Sequence, residues 1–348
     1  MKKIISNVLF MLFTVIGNAQ NVGIGTESPL SRLHVTDSSV LFSAPGDIIV
    51  NSTSAPISGS GRRMMWYAGA AAFRAGYVTG TQWNTPSIGY YSLATGYNTT
   101  ASGYYSIAMG YGCIANSTSS TAIGNSAYAA NYYATAIGFA ANATGTYSTA
   151  IGYTNTASGN YSSAFGGYVS TNVQTGAFVF GDNSTTTVTN AAAANSFTSR
   201  FAGGYRLFSN SLLSTGVILA AGGNSWSAVS DVKRKENFLP VIGEDFLQKI
   251  STMPLTTWNY KGQDVKIFRH YGPMAQDFYK AFGRDGLGEI GCDSLINQQD
   301  FLGVNLIAIQ ALEKRTSEQE QNIKDLKLVV ASLQKQNQEL IEFLKMKK

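Results

Sequence analysis

Charged and nucleophilic side chains are spread very unevenly along this sequence, and a dense run of them is Ser230-Asp231-Val232-Lys233-Arg234-Lys235-Glu236. A serine hydroxyl with a lysine amine five residues on is a nucleophile with a candidate base, the raw material of acyl transfer. The same residues also read as a turn capped by Ser230-Asp231 and followed by a solvated basic face, and spacing alone leaves both readings open. His34 alternates with Leu33 and Val35 and reads as a packed or exposed strand residue; nothing in the sequence places His270 near Ser230. Cys113 and Cys292 lie far apart in regions of different character, which excludes a disulfide framework and leaves two small buried hydrophobes. No cofactor motif and no metal-ligand spacing accompanies them.

The charge distribution narrows the function classes. Residues 1–229 carry 8 Lys+Arg and 4 Asp+Glu, whereas residues 230–348 carry 17 and 16. Between Ala75 and Gly181 there is no Asp, Glu, Lys, Arg or His at all. That stretch has no carboxylate pair, imidazole, metal cluster or cationic groove, so ordinary catalysis and nucleic-acid binding are excluded there.

The N-terminus reads as an address. Lys2-Lys3 precede an apolar run from Ile4 to Ile16, and Gly17-Asn18-Ala19 supplies small residues for cleavage before Gln20. This is the pattern of a secretory signal peptide over residues 1–19. The run is shorter than the roughly 20 apolar residues a span needs, and no second such run follows, so an exported protein with no membrane span after processing is expected.

The middle of the chain is periodic. The tripeptides ending on Gly96, Gly110, Gly124, Gly138, Gly152 and Gly166 recur every 14 residues, and Val179-Phe180-Gly181 follows at 15. Half a period on, Ala101-Ser102-Gly103, Ala115-Asn116-Ser117, Ala129-Ala130-Asn131, Ala143-Thr144-Gly145 and Ala157-Ser158-Gly159 form a second ladder. Such a period means stacked units, and two short strands per 14-residue coil fit a segment dominated by Gly, Ser, Thr, Asn and Tyr. The glycines are expected to supply positive φ at the coil corners, the alanines close approach, and Ile123, Ile137, Ile151 and Phe165 one internal row. The tyrosines Tyr90, Tyr91, Tyr104, Tyr105, Tyr132, Tyr133, Tyr147 and Tyr161 recur in register, as half-buried rungs with wet hydroxyls or as an aromatic face for a glycan. A thin coil without charge hides surface by oligomerising.

The Ala-x-Gly ladder over Pro86 to Asp182 resembles the head repeats of YadA-like trimeric adhesins. The resemblance implies a trimeric left-handed parallel β-roll of 14-residue repeats. Those adhesins end in a membrane-anchoring β-barrel, and nothing downstream here reads as one. Flanking the repeats, Asn21 to Val35 resembles the opening motif of tail-fibre-like proteins, and Arg62-Arg63-Met64-Met65-Trp66-Tyr67 with Phe73-Arg74 reads as a cap on the first coil. Asn195 to Phe208 alternates like paired strands around Gly203-Gly204 and is taken as a connector.

After Ala220-Ala221-Gly222-Gly223-Asn224 the composition changes and charge returns, marking a boundary. Ser230, Asp231, Lys233 and Lys235 fall on the opening motif of the endosialidase-type intramolecular chaperone domain of phage tail spikes, with Lys233 where that family more often has Arg. Gly272-Pro273-Met274-Ala275-Gln276-Asp277 and Asp300-Phe301-Leu302-Gly303-Val304-Asn305-Leu306 are similar to its later motifs, so the resemblance spans 230–312. It implies self-cleavage between Val229 and Ser230, with Ser230 as nucleophile, Lys235 as base, and Asp231 and Lys233 in support. An exposed ammonium titrates near about 10.4, so such a base needs burial or neighbouring positive charge; Lys233 and Arg234 supply charge, and trimer packing would supply desolvation.

The tail is legible without a family. Leu302, Asn305, Ile309, Leu312, Thr316, Gln319, Ile323, Leu326, Val330, Leu333, Asn337, Leu340 and Leu344 follow the 3.5-residue repeat of a coiled coil. Its core chemistry leans towards a dimer, but the resemblance implies a trimer, which is adopted here. The expected architecture is mainly β: signal peptide 1–19, fibre-like segment and cap 20–85, β-roll 86–190, connector 191–229, small α+β chaperone domain 230–312, and coiled coil 313–348. The expected function is an exported homotrimeric fibre or adhesin-like surface protein that frees itself of its chaperone. At most it is a single-turnover serine autoprotease, with no cofactor, metal or nucleic acid. The alternative is a glycan- or surface-binding adhesin with a permanently attached, non-cleaving trimerisation tail.

Overall fold

A computed structural model describes residues 21–48 and 54–347. The signal-peptide reading of residues 1–19 lies outside the described residues. The chain divides into two compact units between Gly204 and Tyr205.

The first unit is a β-solenoid. Each 14-residue coil contributes a five-residue strand, such as Thr121–Asn125 or Thr135–Phe139, and a two-residue strand, such as Tyr128–Ala129 or Asn142–Ala143. The long strands form a 10-stranded sheet and the short ones a 7-stranded sheet. Successive coils pair in parallel with no slip: Ala122, Ala136, Ala150 and Ala164 are mutual partners, as are Gly124, Gly138, Gly152 and Gly166.

The space between the sheets admits only small side chains. Ala108, Ala122, Ala136, Ala150 and Ala164 from one sheet meet Ala101, Ala115, Ala129, Ala143 and Ala157 from the other, all fully buried. Ser106, Ser120, Ser148 and Ser162 are also fully buried, and each hydroxyl donates to the carbonyl three residues earlier at 2.6–2.7 Å. A buried hydroxyl paired with a turn carbonyl satisfies two polar groups at once.

Two expectations about the coil are corrected. Ile123, Ile137, Ile151 and Phe165 are not internal. They are only half-buried, because they follow the buried alanines by one residue and strand side chains alternate between faces. With Met109 they form an apolar stripe on the outer face of the large sheet. Nor do the ladder glycines sit at corners. Gly138 lies inside its strand at φ 126°, where a Cβ would be 2.0 Å from the carbonyl oxygen of Gly152. Most corners are made by non-glycine residues in the left-handed region: Tyr105, Ser119, Tyr133, Tyr147 and Tyr161 at φ 55–57° on one edge, and Ser126, Ala140 and Thr154 at φ 48–55° on the other, with Gly176 and Gly112 at the equivalent places in their coils.

A left-handed L-residue costs about 1–2 kcal/mol. Two sources offset this. Each corner amide donates to the preceding coil, as Tyr133 N does to Thr118 O at 3.0 Å and Tyr147 N to Tyr132 O at 2.9 Å. The rings then stack, with centroids 4.7 Å apart for Tyr133–Tyr147 and 5.1 Å for Tyr147–Tyr161, and such a pair contributes about 0.5–1.5 kcal/mol. The ring faces are therefore turned to each other, while edges and hydroxyls meet solvent.

The N-terminal end of the roll is closed. The antiparallel pair Gly61–Tyr67 and Ala72–Val78 precedes the first coil. Trp83 and Arg74 are fully buried there; Trp83 donates to Thr99 O at 2.9 Å, and Arg74 donates to Ser92 O, Ser92 Oγ and Ala101 O at 2.8–3.0 Å. Burial pushes the Arg74 pKa down to about 10, so the guanidinium stays charged and is held by carbonyls. Far along the roll, the Ser184 hydroxyl, the Ala202 amide and Arg200 hold the Asp182 carboxyl down to about 2. The hairpin expected around Gly203-Gly204 does not form. Phe197–Arg200 instead extends the large sheet by pairing with Phe178–Gly181, which leaves Tyr205–Phe208 to pair elsewhere.

The second unit begins with an antiparallel sheet of Tyr205–Phe208, Gly216–Leu219 and Ser227–Ala228. A hairpin of Thr256–Trp258 and His270–Gly272 and three helices follow: α1 (Gly243–Thr252), α2 (Ala275–Phe282) and α3 (Gln298–Met346). Phe278, Phe282 and Val304 form its core with Phe246 and Ile250. Asn297 caps α3 by accepting from Gln299 N at 2.8 Å. Val304, Ala308 and Ala311 of α3 are buried, and a Cβ on Gly243 would be 2.7 Å from that of Ala311. The heptad seam lies elsewhere on the helix: Leu302, Ile309, Leu312, Ile323, Leu326, Val330, Leu333, Leu340 and Leu344 are all exposed. Among the described residues no helix is long and apolar enough to cross a membrane.

The coil geometry makes Gly138→Ala a destabilising change of about 1–3 kcal/mol through backbone strain and the clash with Gly152. Amide exchange in Thr135–Phe139 and Thr149–Tyr153 is expected to accelerate, while α1 and α2 stay unchanged.

Candidate functional site

The Ser230–Lys235 segment lies where a sheet edge gives way to a single helical turn. On its N-terminal side, Ser227–Ala228 pairs with Val217 and Ile218, and Val229 N donates to Gly216 O at 3.1 Å. On its C-terminal side, Val232–Arg234 forms one 3-10 turn. Asp231 caps it: Oδ1 accepts from Lys233 N at 2.9 Å, and the Asp231 carbonyl accepts from Arg234 N at 3.0 Å. A short polar residue at the N-cap satisfies an amide that the turn leaves unpaired, which is why Asp-x-Lys folds this way locally.

One tight turn reverses the chain enough for a lysine after it to reach a serine before it. Lys235 Nζ donates to Ser230 Oγ at 2.7 Å. Ser230, Asp231, Lys233 and Lys235 are all exposed, and Val229 is half-buried. Lys233 takes part through its backbone amide. The scissile peptide of the expected cleavage is thus bracketed by a sheet hydrogen bond at Val229 and a capped turn beginning at Asp231.

As it stands the amine is the donor. Activation of the hydroxyl needs the reverse polarity, a neutral amine accepting the Ser230 proton, and that requires the pair to be taken out of water. His270 belongs to another constellation, stacked on Trp258 with centroids 4.6 Å apart and edge-on to Tyr260. Cys113 is buried inside the roll, with Sγ 3.2 Å from Gly124 O, and burial pushes its thiol pKa up; Cys292 is half-buried. Both are free thiols. Among the described residues no group of three His, Cys, Asp or Glu side chains could hold a metal ion.

Residues 230–287 match the family model described as chaperone of endosialidase, and the match begins on Ser230 itself. Residues 87–112, 115–141 and 143–168 match the YadA head domain repeat. The chain carries both modules, the head repeats before the chaperone match. No curated protein and no solved structure matches the chain. The head-repeat module coincides with coils of the solenoid, and the chaperone module holds the capped turn, α1, the hairpin and α2. Its matched span stops at 287, before α3, whereas the motif-based reading extends to Leu312.

Arg234 was not among the residues singled out by motif. Its Nη1 donates to Leu213 O at 3.1 Å, a partner 21 residues away that no local pattern announces.

The cap is testable apart from any chemistry. Asp231→Ala removes the acceptor for Lys233 N and is expected to speed exchange of that amide about fivefold, as for loss of about 1 kcal/mol of capping. Asp231→Asn keeps the acceptor and is expected to leave it near the wild-type rate.

Proposed function

We propose that this chain is an exported, homotrimeric fibre or adhesin-like surface protein whose C-terminal module drives trimer assembly and is then released by self-cleavage between Val229 and Ser230. The observation that carries the cleavage is the 2.7 Å contact between Ser230 Oγ and Lys235 Nζ, at the first residue of the chaperone module. Surface display or export is supported by the head repeats.

The reaction follows from the bracketing of the peptide. A neutral Lys235 amine takes the Ser230 hydroxyl proton as Oγ attacks the Val229 carbonyl carbon. The Val229–Ser230 C–N bond breaks, the departing nitrogen takes up a proton from Lys235, and the two residues are left joined as an ester. Water then opens the ester, giving a Val229 carboxylate and a free Ser230 amine and hydroxyl. The bracketing holds nucleophile and carbonyl together, which replaces an improbable encounter with a local one.

Assembly supplies what one chain lacks. The outer stripe of Met109, Ile123, Ile137, Ile151 and Phe165 and the α3 seam from Leu302 to Leu344 are two apolar surfaces left in water by the single chain. Burial of a large aliphatic side chain contributes about 1.5–3 kcal/mol, so packing three chains along these surfaces adds a core that the alanine interior cannot. Desolvation of Lys235 in the assembled trimer makes cleavage conditional on assembly. Loss of the module afterwards removes the element that lowered the folding barrier and leaves the fibre kinetically trapped. Exposure of both Ser230 and Lys235 in one chain favours the second reading, a permanently attached trimerisation tail.

Intact mass under denaturing conditions separates the two. Wild type is expected to give two fragments meeting at Val229 and Ser230, and Ser230→Ala and Lys235→Met a single full-length mass; one full-length mass from every sample would leave the tail reading in place. A charge in the stripe tests assembly: Ile137→Lys is expected to shift native mass from trimer to monomer and to cut the cleaved fraction at least tenfold.

A further inference from the structure

The scissile peptide is held on both sides by one corner of the protein. Val229 N donates to Gly216 O at 3.1 Å, and Arg234 Nη1 donates to Leu213 O at 3.1 Å. The two accepting carbonyls are three residues apart: Leu213 in the loop that follows Tyr205–Phe208, and Gly216 at the start of the strand Gly216–Leu219. Starting at Val229, the chain runs through Ser230, the capped turn and Arg234, and returns to the loop it left. Ser230 lies within this closed circuit, and Lys235, which donates to it, follows directly on Arg234.

The loop is built to hold its shape. Asn210 Oδ1 accepts from Ser214 N at 3.0 Å and Thr215 N at 3.1 Å, and its Nδ2 donates to Ser214 Oγ at 2.6 Å. Leu213 turns the corner with a left-handed φ of 53°, and its amide donates to Asn210 O at 3.2 Å. Asn210 suits the task because one side-chain amide both accepts and donates, imitating backbone. The position of the Leu213 carbonyl therefore depends on Asn210, and the far end of the lysine-bearing turn depends on the Leu213 carbonyl.

We infer that Arg234 and Asn210 are positioning residues for self-cleavage: Arg234 ties the lysine-bearing turn to the loop that also holds Val229, and Asn210 keeps that loop in the shape that receives it. The inference rests on the self-cleavage reading. Neither residue touches the reacting atoms. Both act by narrowing the distance and angle between Ser230 Oγ, Lys235 Nζ and the Val229 carbonyl, and a displacement of about 1 Å in such an arrangement can cost about a hundredfold in rate.

The test is pulse-labelling of the full-length chain in its expression host, following conversion to the two fragments, with assembly monitored by native mass. Wild type is expected to cleave, Arg234→Ala and Asn210→Ala to cleave about tenfold more slowly or worse, and Asn210→Asp, which keeps the two-amide acceptor, to recover most of the rate. The pH–rate profile of Arg234→Ala is expected to fall evenly without moving its midpoint. A displaced midpoint with the full rate restored at higher pH would assign Arg234 to charge and overturn the positioning role. Wild-type rates in both alanine variants would overturn it too. Absence of cleavage in wild type takes down the self-cleavage reading and this inference together, a result distinct from either. Should Arg234→Ala fail to assemble, the Asn210 pair decides alone: equal rates for alanine and aspartate overturn the proposal.

Discussion

The narrow interior of the β-roll is the constraint from which the other features follow. Alanines from both sheets meet in it along most of its length, with valine replacing them only at Val169 and Val179 in the last coils. Register within each strand is the consequence, since side chains on a strand alternate faces; the one 15-residue coil takes up its extra residue outside the strand, so that Val179 still follows Ala164 in the inner row. The glycine row answers the same constraint along the axis, where each Cβ would strike the carbonyl of the next coil.

A core of alanine and serine buries little apolar area per residue, so this roll is held mainly by hydrogen bonds between coils and by stacked rings at its corners. The larger aliphatic residues sit outside. Their placement on one face, in register, gives the single chain an apolar stripe, and the exposed seam of α3 repeats the pattern with a 3.5-residue period. Long parallel ladders are slow to pair because their contacts are made between coils rather than within them.

The Ser230–Lys235 pair shows how little structure is needed to bring a nucleophile and an amine together. One capped 3-10 turn suffices. The same simplicity leaves both groups in water, and a lysine in water donates where a base must accept. Geometry and protonation are therefore separate requirements: the turn provides the distance, and in the proposed reading burial on assembly would provide the polarity. The hydrogen bonds to Leu213 and Gly216 fix the turn to the sheet edge that ends at Val229.

Period and composition determined the solenoid, its two strands per coil and the position of the charged C-terminal module, because repeats and charge are properties of the chain itself. The heptad seam of α3 was equally legible, whereas spacing left the pairing of Ser230 with Lys235 open and only the resemblance to a family implied it; the turn that brings them together is local. What only the tertiary structure decided was direction and long-range partnership. Ala136 and Ile137 are neighbours with similar hydrophobicity, and the sequence favours the larger as core; the pleat sends alanine inward because the room between the sheets is small. Tyrosine rather than glycine at the left-handed corners depends on stacking between coils, which exists only once they are superposed. Phe197–Arg200 joins the roll instead of a hairpin because an in-register parallel edge was waiting for it. Arg234 finds Leu213 across 21 residues for the same reason: a single hydrogen bond between distant residues leaves no period and no motif, only a place in the folded chain.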